Sequence, residues 1–504
     1  MLKSGWSHKD ISTDEPFIIP GQFRVRISKG CHDPIMLTAL TLYGDEDYVI
    51  FLQCDLIGNQ KGFLEDIFEN VKKRNADIDV SKILINATHT HSSPRISKTD
   101  NYDGWWSASF LKSKGYKVEQ SAQYTEFVIK SAAEAICESF ENKENGSISY
   151  GYGFAVVGHN RRVVYSKDWA ESGGEINARI VDGHAKMYGN TDDESFSHYE
   201  SGADYFTNFV FTFDENERLT GAIINVPCPA QNSENEHFVS ADYWHDVRSL
   251  IKEKYGDIHI LAQCAAGGDM SPRILHYQKA QSRRYKLKFS DRKLNPMVKH
   301  PDEMYSRWDI AIRICESFDE VLSWASKEKY SDLSISHSVK TIELDKRMIT
   351  PGEYEFCKEE LERLEKTKDG ADEKNLIEMS KISSSISRCK GVLMRYNSQK
   401  TEPTLSMQMH VISIGDIAFV TNGFELYVDF QHQIQANSPF LQTFVVQLCA
   451  QPQRGGGSYV ATERALENVG YGATMYCNLV SPEGGRQIVR ESIKELNRLY
   501  KKRL

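Results

Sequence analysis

Short runs of β-branched and aromatic residues alternate with longer amphipathic stretches along almost the whole 504-residue chain, and this alternation limits its architecture more than any other feature. Runs at 48–57 (YVIFLQCDLI), 82–88, 147–158, 207–214, 221–227, 258–263, 333–344, 416–421 and 443–448 read as strands. Stretches near 61–75, 120–141, 242–254, 302–327, 352–366, 372–391 and 482–501 repeat apolar residues at helical spacing. Strands interleaved with helices favour an α/β fold, with mixed β-sheets and flanking helices, over an all-helical or all-β one. The charge-rich segment 350–395 reads as a helical hairpin inserted into the sheet-bearing body, and its plainest role is a solvated helical pair.

Composition then narrows the function classes. Lys and Arg total 61 against 70 Asp and Glu, a net charge of −9, and the basic residues are scattered. No electrostatic footprint for nucleic acid results. No apolar run approaches the roughly eighteen residues a membrane-spanning helix needs. The N-terminus, MLKSGWSHKDISTDEPF, lacks the apolar core of a signal peptide. The expected location is therefore cytoplasmic as the sequence stands, or secreted or periplasmic if a leader has been removed. The ten cysteines are widely spaced without CxxC pairs, so they read mostly as buried thiols. Length alone suggests roughly three domains.

Four segments carry chemistry. In ILINATHTHSSP an apolar strand runs into His89 and His91, which on an extended chain point to one face and suit a metal; two satisfied histidines are the plain alternative. In IHILAQCAAGGDMSP the glycines 267 and 268 allow close backbone approach and leave Ser271 at a strand end, as nucleophile or hydrogen-bond donor, or simply in a turn. Glu425 follows the strand DIAFVT as a hard-oxygen donor, and Tyr459 follows three glycines, with Tyr471 twelve residues later.

In their order along the chain these segments resemble the neutral/alkaline ceramidase family of zinc amidases. That family has THTHSGP, an Asn-Arg pair, a His-Pro-Thr segment after a strand, GDxSP, Pro-Gly-Glu and GYVxT. This chain has THTHSSP (88–94), Asn160-Arg161, Cys228-Pro229-Ala230, GGDMSP (267–272), Gly423-Phe424-Glu425 and SYVAT (458–462). The resemblance implies zinc (Zn2+) ligands at His89, Glu425, Tyr459 and, in place of the second histidine, Cys228. It also implies amide-binding and proton-moving roles for His91, Arg161, Ser271 and Tyr471.

Departures bear on the substrate. A thiolate at Cys228 would be a workable zinc ligand that makes the metal a weaker Lewis acid; a buried apolar thiol is the alternative, with His237 and His245 as nearby substitutes. Ser93 replaces a glycine, and Arg95 and Arg273 add charge, favouring an anionic or polyhydroxylated substrate. Trp105, Trp106, Trp169 and Trp244 read as packing, or as a sugar-stacking surface. The family's C-terminal β-sandwich is not expected after Tyr471, where one closing helix follows. Because residues from 89 to 471 must meet at one point, 1–504 is expected to be a single large layered domain. The expected activity is zinc-dependent hydrolysis of an N-acyl amide or related acyl bond in a small-molecule substrate. A hydrolase or lyase acting on a carbohydrate or other polar substrate, and a binding protein with a decayed site, are the alternatives. Nothing in the sequence speaks to oligomeric state.

Overall fold

The computed structural model describes residues 1–45, 47–58, 62–100, 102, 104–167, 180–449 and 459–503. Among them eight strands build the larger sheet: β1 (Lys3–Asp10), β2 (Met36–Tyr43), β3 (Tyr48–Cys54), β4 (Ile83–Ala87), β5 (Glu144–Phe154), β6 (Phe206–Asp214), β7 (Leu219–Val226) and β8 (His259–Cys264). Their order is β8-β7-β6-β5-β1-β2-β3-β4. The centre is antiparallel, while the outermost pairs, β7 with β8 and β3 with β4, are parallel. A second sheet joins β9 (Ile335–Asp345), β10 (Thr404–Ile414), β11 (Ile417–Thr421) and β12 (Gln442–Val446) in that order, with β11 and β12 parallel.

Helices α1 (Phe63–Arg74), α2 (Ser121–Glu141), α3 (Tyr243–Tyr255) and α4 (Pro301–Ala325) precede the second sheet, and α5 (Pro351–Gly370), α6 (Leu376–Ser398), α7 (Val428–Ala436) and α8 (Pro482–Arg503) follow its first strand. Each parallel pair has the crossover helix it needs: α1 for β3 and β4, α3 for β7 and β8, α7 for β11 and β12.

The period-two alternation of each strand sorts its side chains between layers. In β3, Ile50 and Leu52 face helices α1 to α4, whereas Val49 and Phe51 face the second sheet. Phe51 meets Phe419 there at 5.1 Å between ring centroids, and Phe419 stacks on Phe444 at 4.4 Å. The outer face of the second sheet, through Met407, Met409, Val411 and Val420, packs on α7 and α8. The result is helices, sheet, sheet and helices in one large layered domain. The larger sheet curls strongly, so that Trp6 of β1 stacks on His259 of β8 at 5.3 Å across three intervening strands.

Strands buried on both faces read as continuous apolar runs, which is why all nine expected strands and all seven expected helices are present. Three strands of this core escape the sequence reading. β1 (KSGWSHKD) is polar yet central, because Ser7 and Lys9 spend their polar groups on Glu138 of α2. Gly5 lets α2 approach, since a Cβ there would lie 2.1 Å from Ser139 O. β2 is built largely on Leu, Met and Ala, residues that favour helices equally, and the first half of β10 mixes Leu and Met with polar residues. The expected hairpin insertion exists as α5 and α6, between paired strands β9 and β10, with its own core of Cys357, Ile382, Ile386 and Cys389. Eight cysteines are buried, while Cys31 and Cys315 are half-buried, and all ten are free thiols. Among the described residues no helix is long and apolar enough to cross a membrane.

Phe211 tests the helix-facing core: it is fully buried, stacked on Phe209 at 5.6 Å and edge-on to Phe318 at 5.1 Å. Phe211→Ala is expected to lower the unfolding free energy by about 3–5 kcal/mol. Denaturant titration checks this, and a loss below about 1 kcal/mol contradicts the packing.

Candidate active site

The segments singled out by sequence leave the C-terminal ends of β4, β7, β8 and β11, and these ends meet. Curling of the sheet brings its edges together, as Asn86 Nδ2 of β4 donates to Ala262 O of β8 at 3.1 Å. Beyond β4 the chain is not extended at the two histidines. His89 adopts φ 61°, a left-handed conformation that non-glycine residues rarely take. The turn still brings the rings together, at 5.0 Å between centroids and 80° between planes. His89 Nδ1 donates to Ile57 O at 2.5 Å, which leaves Nε2 as the free nitrogen. His91 Nδ1 lies 3.2 Å from Glu234 Oε2, and its buried Nε2 has no hydrogen-bond partner. Gly21 backs this ring: it has φ +96°, and a Cβ on it would lie 2.7 Å from His91 Cγ.

Glu425 and Tyr459 are brought side by side by backbone pairing. The short strands Glu425–Leu426 and Tyr459–Val460 run parallel with Glu425 opposite Tyr459. Glu425 Oε2 lies 3.5 Å from His89 Nε2. Arg161 Nη2 donates to Tyr459 Oη at 3.0 Å and to Gly268 O at 2.8 Å. The rings of Tyr459 and Tyr471 meet edge to face at 5.6 Å. The double glycine is required sterically, since a Cβ on Gly268 would lie 2.4 Å from Glu425 O. Tyr471 is set from behind by Arg162, which grips Glu200 (2.5 and 2.9 Å) and donates to the carbonyls of Val469 and Tyr471 at 2.6 Å each.

These residues line a pocket of about 440 Å³. His89, His91, Arg161, Glu425, Tyr459 and Tyr471 all face it. Cys228 and Ser271 do not. Cys228 is fully buried in the helix-side core of the larger sheet, where its Sγ lies 3.5 Å from Pro229 O. Ser271 is fully buried in a short strand paired with His159, and its Oγ accepts from Arg273 N at 3.3 Å. Of the substitutes for Cys228, His237 lies against Ile27 O at 3.3 Å and His245 beside Ser249 Oγ at 3.4 Å, and neither lines the pocket.

The added arginines do not make an anion site. Arg95 is buried, bonded to Trp106 O at 2.8 Å, and lies outside the pocket. Arg273 lines the pocket but is paired with Glu234 at 2.6 Å and Glu303 at 3.4 Å. Trp105 and Trp244 are buried packing residues and Trp106 donates to Ser380 O at 3.0 Å, while Trp169 and the glycines 455–457 lie outside the described residues. Sequence reasoning missed Glu234, Gln231 and Tyr188, which line the pocket from loops with no spacing signal. The one available hint was the position of Gln231 and Glu234 just after Cys228-Pro229-Ala230.

Burial works against the charge of Glu425, but His89 and Arg161 hold its carboxyl below the usual carboxylate range. Burial lowers the His91 imidazole from its ordinary value and pushes the Tyr459 phenol well up. The 3.5 Å between His89 Nε2 and Glu425 Oε2 matches the spacing of about 3.3–3.4 Å expected for two tetrahedral zinc ligands. Among the described residues no three His, Cys, Asp or Glu side chains cluster to hold a metal.

The chain aligns over 99% of its length with the solved neutral ceramidase from Pseudomonas aeruginosa, covering 75% of that chain at 14% identity and a TM-score of 0.65. A solved ceramidase complexed with C2 gives the same coverages, 13% identity and a TM-score of 0.63. No protein-family model and no curated protein matches the sequence. The chain thus has a neutral-ceramidase-like fold.

Glu234 gives this site a pH signature. Burial opposes its charge, but His91 and Arg273 outweigh burial and hold its carboxyl at about 2, below its ordinary 4.5. A carboxylate with a depressed folded-state value stabilises the protein fully above its unfolded value and loses that contribution as pH falls toward the folded one. The stability gap between wild type and Glu234→Gln is expected to be largest above pH 4.5, on the order of 3 kcal/mol, and to close as pH falls toward 2. Urea unfolding across this pH range checks the sign; a gap that widens on acidification contradicts it.

Proposed function

We propose that the chain is a zinc-dependent hydrolase that cleaves the carbon–nitrogen bond of an N-acyl amine. The observation that carries this reading is the 3.5 Å spacing of His89 Nε2 and Glu425 Oε2, with Tyr459 paired to Glu425, beside the unpartnered Nε2 of His91. His89, Glu425 and Tyr459 would hold the ion. When bound, zinc supplies Lewis acidity to the acyl carbonyl and makes water a nucleophile near neutral pH. The chain's own groups do the rest. His91 Nε2 takes a proton from the attacking water and returns it to the leaving amine as the carbon–nitrogen bond breaks. Arg161, kept charged against its burial by Tyr459, Tyr188 and Glu425, faces the oxygen that gains negative charge, together with the Tyr471 hydroxyl. Cys228 and Ser271 have no step in this scheme and serve packing.

Three measurements test it. Metal analysis of His89→Ala and Glu425→Gln is expected to show lost zinc, and His91→Ala to keep zinc while losing about 100-fold or more in kcat. Chelation is expected to abolish N-acyl amine hydrolysis without unfolding the protein, and added zinc to restore it. Cys228→Ala is expected to leave zinc stoichiometry unchanged; its loss would return Cys228 to the ligand set.

A further inference from the structure

The pocket has two unlike sides, and their chemistry specifies the amine half of the substrate. One wall is polar and built in advance. Glu234 and Arg273 hold each other at 2.6 Å, and Gln231 Nε2 donates to Tyr188 Oη at 2.7 Å. The Arg273 guanidinium lies 5.4 Å from the centroid of the Tyr188 ring. Another part of the lining is aromatic: Phe23, 40% exposed, stands edge-on to Tyr471 at 5.1 Å. The Glu234 carboxylate and the Arg273 guanidinium offset each other, so the wall offers fixed donors and acceptors. A ligand that puts hydroxyls against this wall and a C–H face against the rim satisfies both sides. A lipid with two alkyl chains would instead bring apolar chain against Glu234, Arg273 and Gln231 and offer their polar atoms no hydrogen bond.

We infer that the substrate is an N-acylated amine whose amine side is a polyhydroxylated ring, the chemistry of an N-acyl amino sugar. The inference rests on the N-acyl hydrolase reading above and names its substrate class. Glu234 and Arg273 read neighbouring hydroxyls, Gln231 and Tyr188 read a further one, and Phe23 packs on the ring face. The acyl carbonyl then lies toward His89, Glu425 and Arg161, which line the same pocket.

The test separates binding from turnover. The zinc-loaded full chain is titrated calorimetrically with N-acetylglucosamine and with N-acetylbutylamine, which share the acyl group and differ on the amine side. The sugar is expected to bind at least about tenfold more tightly, and Arg273→Met to erase most of that preference. Gln231→Leu serves as the second variant should Arg273→Met fail to fold. Equal affinities, or a preference untouched by either variant, overturn the inference. So does hydrolysis of detergent-dispersed ceramide with a kcat/KM at or above that of the sugar amide. Tight sugar binding without cleavage overturns the hydrolase reading and leaves the polyol site standing.

Discussion

One buried carboxylate joins the two halves of the site. Asp269 Oδ2 accepts from Asn160 Nδ2 at 3.0 Å, its Oδ1 accepts from Val428 N at 3.0 Å, and its carbonyl accepts from Arg161 N at 2.9 Å. The larger sheet delivers Asp269 at the end of β8, the second sheet delivers Val428 at the start of α7, and Arg161 stands between them. The position of Arg161 beside Tyr459, and of Glu425 beside Gly268, therefore follows from one buried set of hydrogen bonds. Burial pushes the Asp269 carboxyl up to about 7, so the site retains this group as a hydrogen-bonded anchor at a real cost to its ionisation.

This explains what the GGDMSP turn is for. Read as a sequence, its serine draws attention, because a hydroxyl at a strand end is chemically suggestive. In the folded chain its glycines and its aspartate matter more. Gly268 lets the backbone close on Glu425, Gly268 N donates to Leu426 O at 2.9 Å, and Gln447 Oε1 accepts from both Gly267 N and Leu426 N at 3.1 Å. The turn is a clamp on the strand that carries Glu425. His89 shows the same logic from the other side. A non-glycine residue at φ 61° costs roughly 1–3 kcal/mol, and the hydrogen bond to Ile57 O with the ring of His91 behind it over-determines that conformation.

The parts of the fold that could be read from sequence were those whose local pattern and tertiary role agree. Doubly buried strands such as β3 and β6 announce themselves as apolar runs, whereas β1 does not, because its Ser7 and Lys9 are satisfied by a helix more than a hundred residues away. At the site the same division holds. His89, His91 and Glu425 come soon after β4 and β11, so a strand end fixes where they go, and Tyr459 is placed by its own strand pairing with Glu425. Cys228 also follows a strand, yet two residues past the end of β7 its side chain turns inward to the helix-side core, a matter of one backbone rotation that spacing does not report. Glu234 and Gln231 lie in a loop with no periodicity. Their place becomes definite only when Ala230 N bonds Thr88 O (3.4 Å) and His91 N bonds Ala230 O (3.2 Å), tying that loop to the histidine turn.

The helical insertion completes the site in a way its composition conceals. A charge-rich helical pair is ordinarily a solvated surface, and the outer faces of α5 and α6 are that. Their inner faces are not. Arg388 of α6 sets its guanidinium 5.2 Å from the Phe23 ring, 5.9 Å from Tyr471 and 4.5 Å from Tyr476, so the insertion props the aromatic rim of the pocket by cation–π contact. Tyr476 is in turn held between the thiols of Cys357 and Cys389, at 3.7 and 3.5 Å. Arg395 adds a bond to Asn478 O at 2.7 Å. Tyr471 therefore has two supports from different parts of the chain. Arg162 fixes its backbone from the larger sheet's side, and α6 fixes its ring from the insertion. Because Tyr471 meets Tyr459 on one side and Phe23 at the rim on another, the two supports together hold both of its surfaces, where either alone would leave one free to move.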